Sequence, residues 1–198
     1  MRRVVVDEFV SIDGVAQAPG GLDEDRDAGF EHGGWHMPYM DDIAGKWVDD
    51  SLAETGGLLL GRRTYDIFAA YWPKAPAEEA QATAALLNAM PKYVVSKHLK
   101  EPLAWQNSKL LKGDLQQAVT ALRHEEGKDV HVIGSTMLVR SLLKLGLVDE
   151  LRLMIDPLLL GGGKSVFPDD RALRAMQLIE SQVTGTGAIL ARYSVPRG

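Results

Sequence analysis

"LLLGRRTYD", residues 58–66, is the stretch on which the reading turns: three leucines, a glycine, two arginines, then a threonine and a tyrosine. Taken with the glycines before it, "GGLLLG" (56–61) is a short apolar run bounded by glycines, the pattern of a strand buried on both faces as in a parallel sheet. Beyond it Tyr65, Phe68 and Trp72 recur at spacings of three and four, so a helix runs on until Pro73. A strand that passes through glycine into a helix presents unpaired backbone N–H groups and partial positive charge, and glycine lets a ligand approach closely. The two arginines ask for something negative, either a phosphate or the protein's own carboxylates. "HVIGSTMLV" (131–139) repeats the arrangement, with Ser135 as the expected N-cap of a helix that carries Leu138, Leu142 and Leu145 to Gly146.

Outward from these turns the chain alternates strands and helices. "RRVVVDEFVSIDG" reads as a strand ending at Asp13-Gly14. A long glycine-rich insert, 15–39, follows without periodicity, and its Phe30, Trp35, Met37 and Tyr39 mark it as a functional loop rather than a disordered one. A helix is expected over 41–54, a second over 77–90, a strand over 92–96, and a helix opened by Asp114 and Gln117 as a variant capping box. "DELRLMID" (149–156) alternates at Leu151, Leu153 and Ile155. "MQLIESQV", "TGTG" and "AILARYSV" read as an antiparallel hairpin. A mostly parallel sheet flanked by helices, closed by an antiparallel hairpin, is the α/β architecture this order implies.

Composition narrows the function. The 198 residues are 45% hydrophobic and 25% charged, which fits one domain spanning 1–198. A formal net charge of −5 disfavours a nucleic-acid backbone as partner, since that affinity rests on lysine and arginine neutralising phosphates. Cysteine is absent, which removes disulfides, thiolate metal sites and a cysteine nucleophile. The apolar run at the N-terminus breaks at Asp7 and Glu8, and no apolar stretch approaches the length of a membrane span, so a soluble, cytoplasmic protein is expected.

Single motifs are weaker. "LLLGGGKSVF" (158–167) ends like a phosphate-binding P-loop in Gly163, Lys164 and Ser165, but Leu158 stands where that motif requires glycine, and a tight turn beside the ligand site is the better reading. His32 and His36 have the spacing of a helical metal pair, yet Gly33 and Gly34 make a helix unfavourable there. "DEDRD" has the acids of a calcium loop in Asp23, Asp25 and Asp27, with Ala28 where glycine is needed and Gly34 in place of the bidentate acid. No metal site is expected. A dinucleotide would suit two glycine turns in one sheet, although the G-x-G-x-x-G fingerprint is missing.

In order and spacing, "FVSIDGVA", "LLLGRRTYDIFAAYWP", "PKYVVS", "DVHVIGSTMLVRSLLKLGLVDELRLMIDPLLLGGGKSVF" and the final hairpin resemble the dihydrofolate-reductase-like proteins grouped with the reductase domain of the bifunctional riboflavin-biosynthesis deaminase-reductase. The resemblance covers nearly the whole chain. It implies the dihydrofolate-reductase-like fold, a homodimer, and NADPH-dependent hydride transfer to a C=N or C=O group of a small pterin- or pyrimidine-like heterocycle, as in dihydrofolate reductases or 5-amino-6-(5-phosphoribosylamino)uracil reductases. The alternative is a nucleotide-binding module of the same fold without turnover. By resemblance, Gly61, Arg62, Arg63 and Thr64 hold phosphates, with an arginine selecting the 2′-phosphate. Ser96 and Lys97 lie along the adenosine, and Gly134, Ser135, Thr136 and Met137 take the pyrophosphate. The segment Val10 to Ala16, with Gly14, packs against the nicotinamide, while Trp35 and Trp72 wall an aromatic pocket. Asp13 is the candidate nearest the nicotinamide for proton supply. Asp41, Asp42, Asp49 and Asp50 do not match the spacing of the carboxylate that dihydrofolate reductases carry on the helix after the first strand.

Overall fold

Strand β1 (Val4–Ser11) occupies the middle of an eight-stranded sheet, and its residues are buried on both sides. The computed structural model describes residues 1–196, and for 77–81 the backbone alone. The chain runs through β1, helix α1 (Asp42–Glu54), β2 (Gly57–Gly61), α2 (Arg62–Tyr71), α3 (Ala77–Ala89), β3 (Lys92–Val95), β4 (Ser108–Leu111), α4 (Leu115–His124), β5 (Val130–Ile133), α5 (Thr136–Lys144), β6 (Glu150–Asp156), β7 (Gln177–Val183) and β8 (Ile189–Ser194). The sheet order is β4-β3-β2-β5-β1-β6-β8-β7. The first six strands in that order are mutually parallel, and β8 and β7 add the expected antiparallel hairpin.

Leu58, Leu59 and Leu60 are fully buried, as a doubly covered strand requires. Each such leucine contributes about 1.5–3 kcal/mol of transfer free energy. On one side of β1 and β5, Val4, Val6, Val10, Val130 and Val132 pack with Leu138, Val139 and Leu142 of α5. Elsewhere Leu58, Leu60 and Val94 pack with Tyr65 of α2 and with Trp105, and Ala44 of α1 meets Met154 and Leu190.

Two sequence expectations need correction. Strand β4 has no counterpart in the sequence reading, because its "SKLL" has no alternation of its own and is defined by parallel pairing with β3. In β6 the apolar alternation at Leu151, Leu153 and Ile155 describes half the strand only. Glu150, Arg152 and Asp156 on the other face are buried as well. The strand lies inside the sheet, so its polar residues must find partners within the protein.

Candidate active site

The two glycine turns end on the same edge of the sheet. β2 and β5 are neighbours, and the Gly61 N–H donates to Ser135 Oγ at 2.9 Å. A Cβ on Gly61 would stand 3.3 Å from Ser135 Cβ and Oγ, and one on Gly134 would meet Thr64 Cγ2 at 3.4 Å. Gly134 and Ser135 are both left-handed, with φ of 63° and 70°. For serine that conformation costs about 1–2 kcal/mol. Ser135 does occupy the N-cap position, but its side chain does not cap α5; its Oγ is engaged by β2 instead.

Helices α2 and α5 therefore begin without a side-chain cap and without an acid in the first turn. Helices α1 and α4 begin differently: Asp41 accepts from the Ala44 N–H and Asp114 from the Gln117 N–H. No side chain caps the leading N–H groups of α2 and α5, the kind of helix start that favours phosphate.

The arginines have found carboxylates. Arg62 pairs with Asp66 one turn on, at 3.1 Å. Arg63 reaches the insert and contacts Asp25 and Asp27, both at 2.5 Å, and Lys164 joins the same acids at 2.6 and 2.8 Å. The bonds from Arg63 and Lys164 hold Asp27 below the ordinary carboxylate range. For Asp25, burial pushes upward but Lys164 and Arg63 prevail. The acids of "DEDRD" thus bind the protein's own cations, and Gly163 makes room for the insert, since a Cβ there would lie 2.6 Å from Val15 Cγ1.

The other expected cofactor residues sit on or near this edge. Ser96 Oγ accepts from the N–H groups of His98 and Leu99, holding its own turn, and Lys97 is exposed. Thr136 is half-buried and Met137 is exposed at the start of α5. Val10 and Ala16 are buried in the apolar cluster beneath α5, and Gly14, at φ 77°, packs against Phe167.

Asp13 is a brace. It accepts from Ser11 Oγ at 2.6 Å and from the N–H groups of Leu160 and Gly161, and these bonds, Ser11 foremost, lower its pKa. An ionised carboxylate has no proton to give. Nor do the tryptophans wall one pocket: Trp35 is buried with Val15, Ala18 and Phe30 and donates to the Gln17 carbonyl, whereas Trp72 packs with Phe68 and Tyr71 in a separate cluster. The insert folds back on β1 and the second tryptophan follows α2, so tertiary packing separates them.

The cavity at this edge lies between α1 and the sheet. Asp7, Glu8, Phe9, Trp47, Ile133 and Arg152 are among its walls, together with Ser51 and Met154. Its volume of about 50 Å³ is the room of a few waters at most, too small for a heterocycle as it stands. One side is a dense polar network, in which Arg152 Nε is nevertheless left without a hydrogen-bond partner. Asp7 accepts from Ser51 Oγ at 2.6 Å, meets His131 Nδ1 at 2.7 Å and lies 3.3 Å from Arg152 Nε. Arg152 also reaches Glu54 at 3.2 Å and lies over the Trp47 ring at 4.8 Å. Burial would raise Asp7, but His131, Arg152 and Ser51 override it and hold the carboxyl below its ordinary value. Ser51 and Asp7 share the same imidazole nitrogen, so the trio lacks the relay geometry of a nucleophile. Beside Asp7, Glu8 is pushed well above the carboxylate range by burial and by the Asp7 charge.

Sequence reasoning missed Asp7, His131 and Arg152. A signal existed: each is a polar residue interrupting an apolar strand, and in a doubly covered strand such a residue must be paired or functional. Asp42, Asp49 and Asp50 are exposed on α1, and Asp41 is its cap. Among the described residues no group of three or more His, Asp or Glu is placed to hold a metal ion, and no helix is long and apolar enough to cross a membrane.

Glycine turns and a cavity at the C-terminal edge of a parallel sheet lie where open α/β sheets bind their ligands. The chain belongs to the RibD C-terminal domain family, whose profile matches residues 2–190. It is similar to the uncharacterized protein YyaP of Bacillus subtilis (strain 168), 26% identical over 197 residues, covering 97% of this chain and 94% of that one. Among solved structures it shares its fold with a protein of Shewanella sp. PV-4 provisionally named a riboflavin biosynthesis protein, at a TM-score of 0.74, 22% identity and coverage of 98% and 99%. A pyrimidine reductase-like protein of Corynebacterium diphtheriae superposes at 0.64, with 16% identity and coverage of 100% and 93%. Membership of this family indicates an oxidoreductase.

Proposed function

We propose that the protein is an NADPH-dependent reductase of a small pterin- or pyrimidine-like heterocycle. One observation carries the reading: two uncapped helix starts, α2 and α5, stand side by side, joined through the Gly61 N–H and Ser135 Oγ, with Ser135 in a costly left-handed backbone. That cradle fits a dinucleotide. The N–H groups at the start of α5 would take the pyrophosphate, and Arg62 and Arg63, with Thr64 at the α2 start, would hold the 2′-phosphate, which guanidinium groups pair through two parallel bonds. When bound, the nicotinamide would supply a hydride. The chain's share is to orient the two reactants beside Phe9 and Ile133 and to keep water out. Arg63 would exchange Asp25 and Asp27 for phosphate, and Lys164 would keep the insert's acids paired.

Thermal denaturation with NADPH and with NADH tests this. NADPH is expected to raise Tm more than NADH, and Arg62→Ala combined with Arg63→Ala to weaken NADPH binding about 10–100-fold while leaving NADH unchanged, since hydrogen bonds to charged groups are worth about 1.5–3 kcal/mol. Equal shifts with both cofactors would overturn the 2′-phosphate assignment. The second reading, a nucleotide-binding module without turnover, is favoured if NADPH binds but is not oxidised with any pterin or pyrimidine.

A further inference from the structure

The face of the sheet that carries the cavity is layered. β1 and β6 pair in register, so Asp7 and Arg152 form one layer, Phe9 and Met154 the next, and Ser11 and Asp156 the last, at the C-terminal edge. Over this last layer the insert places His36. Its Nδ1 lies 2.8 Å from Asp156 Oδ2, and its ring stacks on Phe9 at a centroid distance of 3.8 Å and an interplanar angle of 14°. Trp35 closes the ring's edge at 6.2 Å. His36 is 2% exposed and Asp156 0%.

What this pair lacks is as informative as what it has. His36 Nε2 is buried and has no hydrogen-bond partner among the described residues, and neither has Asp156 Oδ1. A buried imidazole nitrogen without a partner costs free energy comparable to a lost hydrogen bond, so its retention is physically odd in a purely structural role. Asp156 orients the ring and fixes the proton on Nδ1 in the neutral imidazole, the second-partner logic by which carboxylates hold working histidines. Phe9, on which the ring lies, is itself a wall of the cavity.

We propose that His36, held by Asp156, is the proton donor for the heterocycle: once substrate displaces the packing that covers it, Nε2 contacts the nitrogen or oxygen that is protonated as hydride reaches the neighbouring carbon. This rests on the reductase reading. In the step, the C=N or C=O bond is reduced to a single bond, the dihydronicotinamide is oxidised, and the imidazolium loses its Nε2 proton to the heteroatom. The neutral ring then recovers a proton from water admitted as product leaves. Of the other charged groups on this face, Asp7, His131 and Arg152 are committed to one another a layer or more away and Glu150 to Arg3 and Arg192, while Asp13 serves the glycine turn. Asp156 is the positioning residue.

Three variants and two measurements test this, with pterin and 5-aminouracil as probes. His36→Asn can keep a donor for Asp156 while removing the proton source, His36→Gln places an amide near Nε2, and Asp156→Asn removes the charge that holds the ring. In wild-type protein with NADP⁺, the His36 imidazole ¹⁵N resonances are expected to move when a probe binds. With NADPH, His36→Asn and His36→Gln are expected to lower kcat about 100-fold, within the usual span for lost general-acid catalysis. KM and the NADPH-induced Tm shift should stay within twofold, and the alkaline limb of the kcat profile should vanish. Asp156→Asn should shift that limb to lower pH. Unmoved ¹⁵N resonances with a bound probe, or histidine variants that keep wild-type kcat and pH profile, would overturn the proposal. Wild-type protein that binds probe at His36 but oxidises no NADPH would instead overturn the reductase reading and, with it, proton transfer, leaving the contact standing.

Discussion

The two halves of the C-terminal edge are built in opposite ways. At the β2 and β5 turns the groups on offer are the first backbone N–H groups of α2 and α5, which no side chain caps. On the α1 face the groups are side chains, and nearly all are already bound to one another: Asp7 with Ser51, His131 and Arg152, and Arg152 with Glu54. The first half is pre-organised by what it omits, the second by mutual pairing. An open backbone cradle accepts any phosphate of suitable shape, whereas a paired face must give up a contact or offer one of its rare unpaired atoms.

The contrast can be broken most severely at Asp7. Asp7→Ala leaves Arg152 and His131 buried without their carboxylate, and a loss of about 3–5 kcal/mol in urea unfolding is expected. The NADPH-induced Tm shift should survive in the folded fraction, because the cradle does not use Asp7. The pH dependence follows from the lowered pKa: the Asp7 contribution is present above the ordinary carboxylate value and is lost as pH falls through the lower folded value, so the gap between wild type and variant closes in acid. A variant as stable as wild type at neutral pH would contradict the paired network. The paired arginine substitution reverses the pattern, with cofactor discrimination lost and stability nearly unchanged.

A smaller effect separates capped from uncapped helices. Asp114→Ala is expected to cost about 1 kcal/mol, the usual worth of an N-cap, with no change in NADPH response. A change in cofactor binding would mean that α4 belongs to the cradle. At Glu8 the effect has the opposite sign. Glu8→Gln removes a carboxyl that burial keeps protonated, so the variant should match wild type below the ordinary carboxylate pKa and become progressively the more stable as pH rises through the raised folded value. Unfolding curves across that range that stay parallel would place Glu8 in water.

Strand β2, its glycine, the helix after it and the copy of that pattern at β5 were legible in the sequence, because apolar runs, glycines and helix starts are local signals. The aromatics of the insert argued against disorder, and Phe30 and Trp35 are buried, but its wiring was not legible: nothing near Asp25 or Asp27 in the chain announces Arg63, and nothing near His36 announces Asp156. The arginines posed a choice between phosphate and carboxylate, and in this structure they hold carboxylates, which makes the phosphate reading one of exchange. Trp35 and Trp72 were grouped by residue type alone and belong to different clusters.

By itself the sequence determined the alternating strands and helices, the closing hairpin and the two backbone turns, since these depend on periodicity and backbone freedom within a few residues. Only the tertiary structure decided which polar side chains share a face. Register between β1 and β6 sets Asp7 beside Arg152 and Ser11 beside Asp156, and the fold of the insert lays His36 on Phe9. Those contacts join residues far apart in the chain, and burial then makes each pairing, and each unpaired atom, energetically consequential.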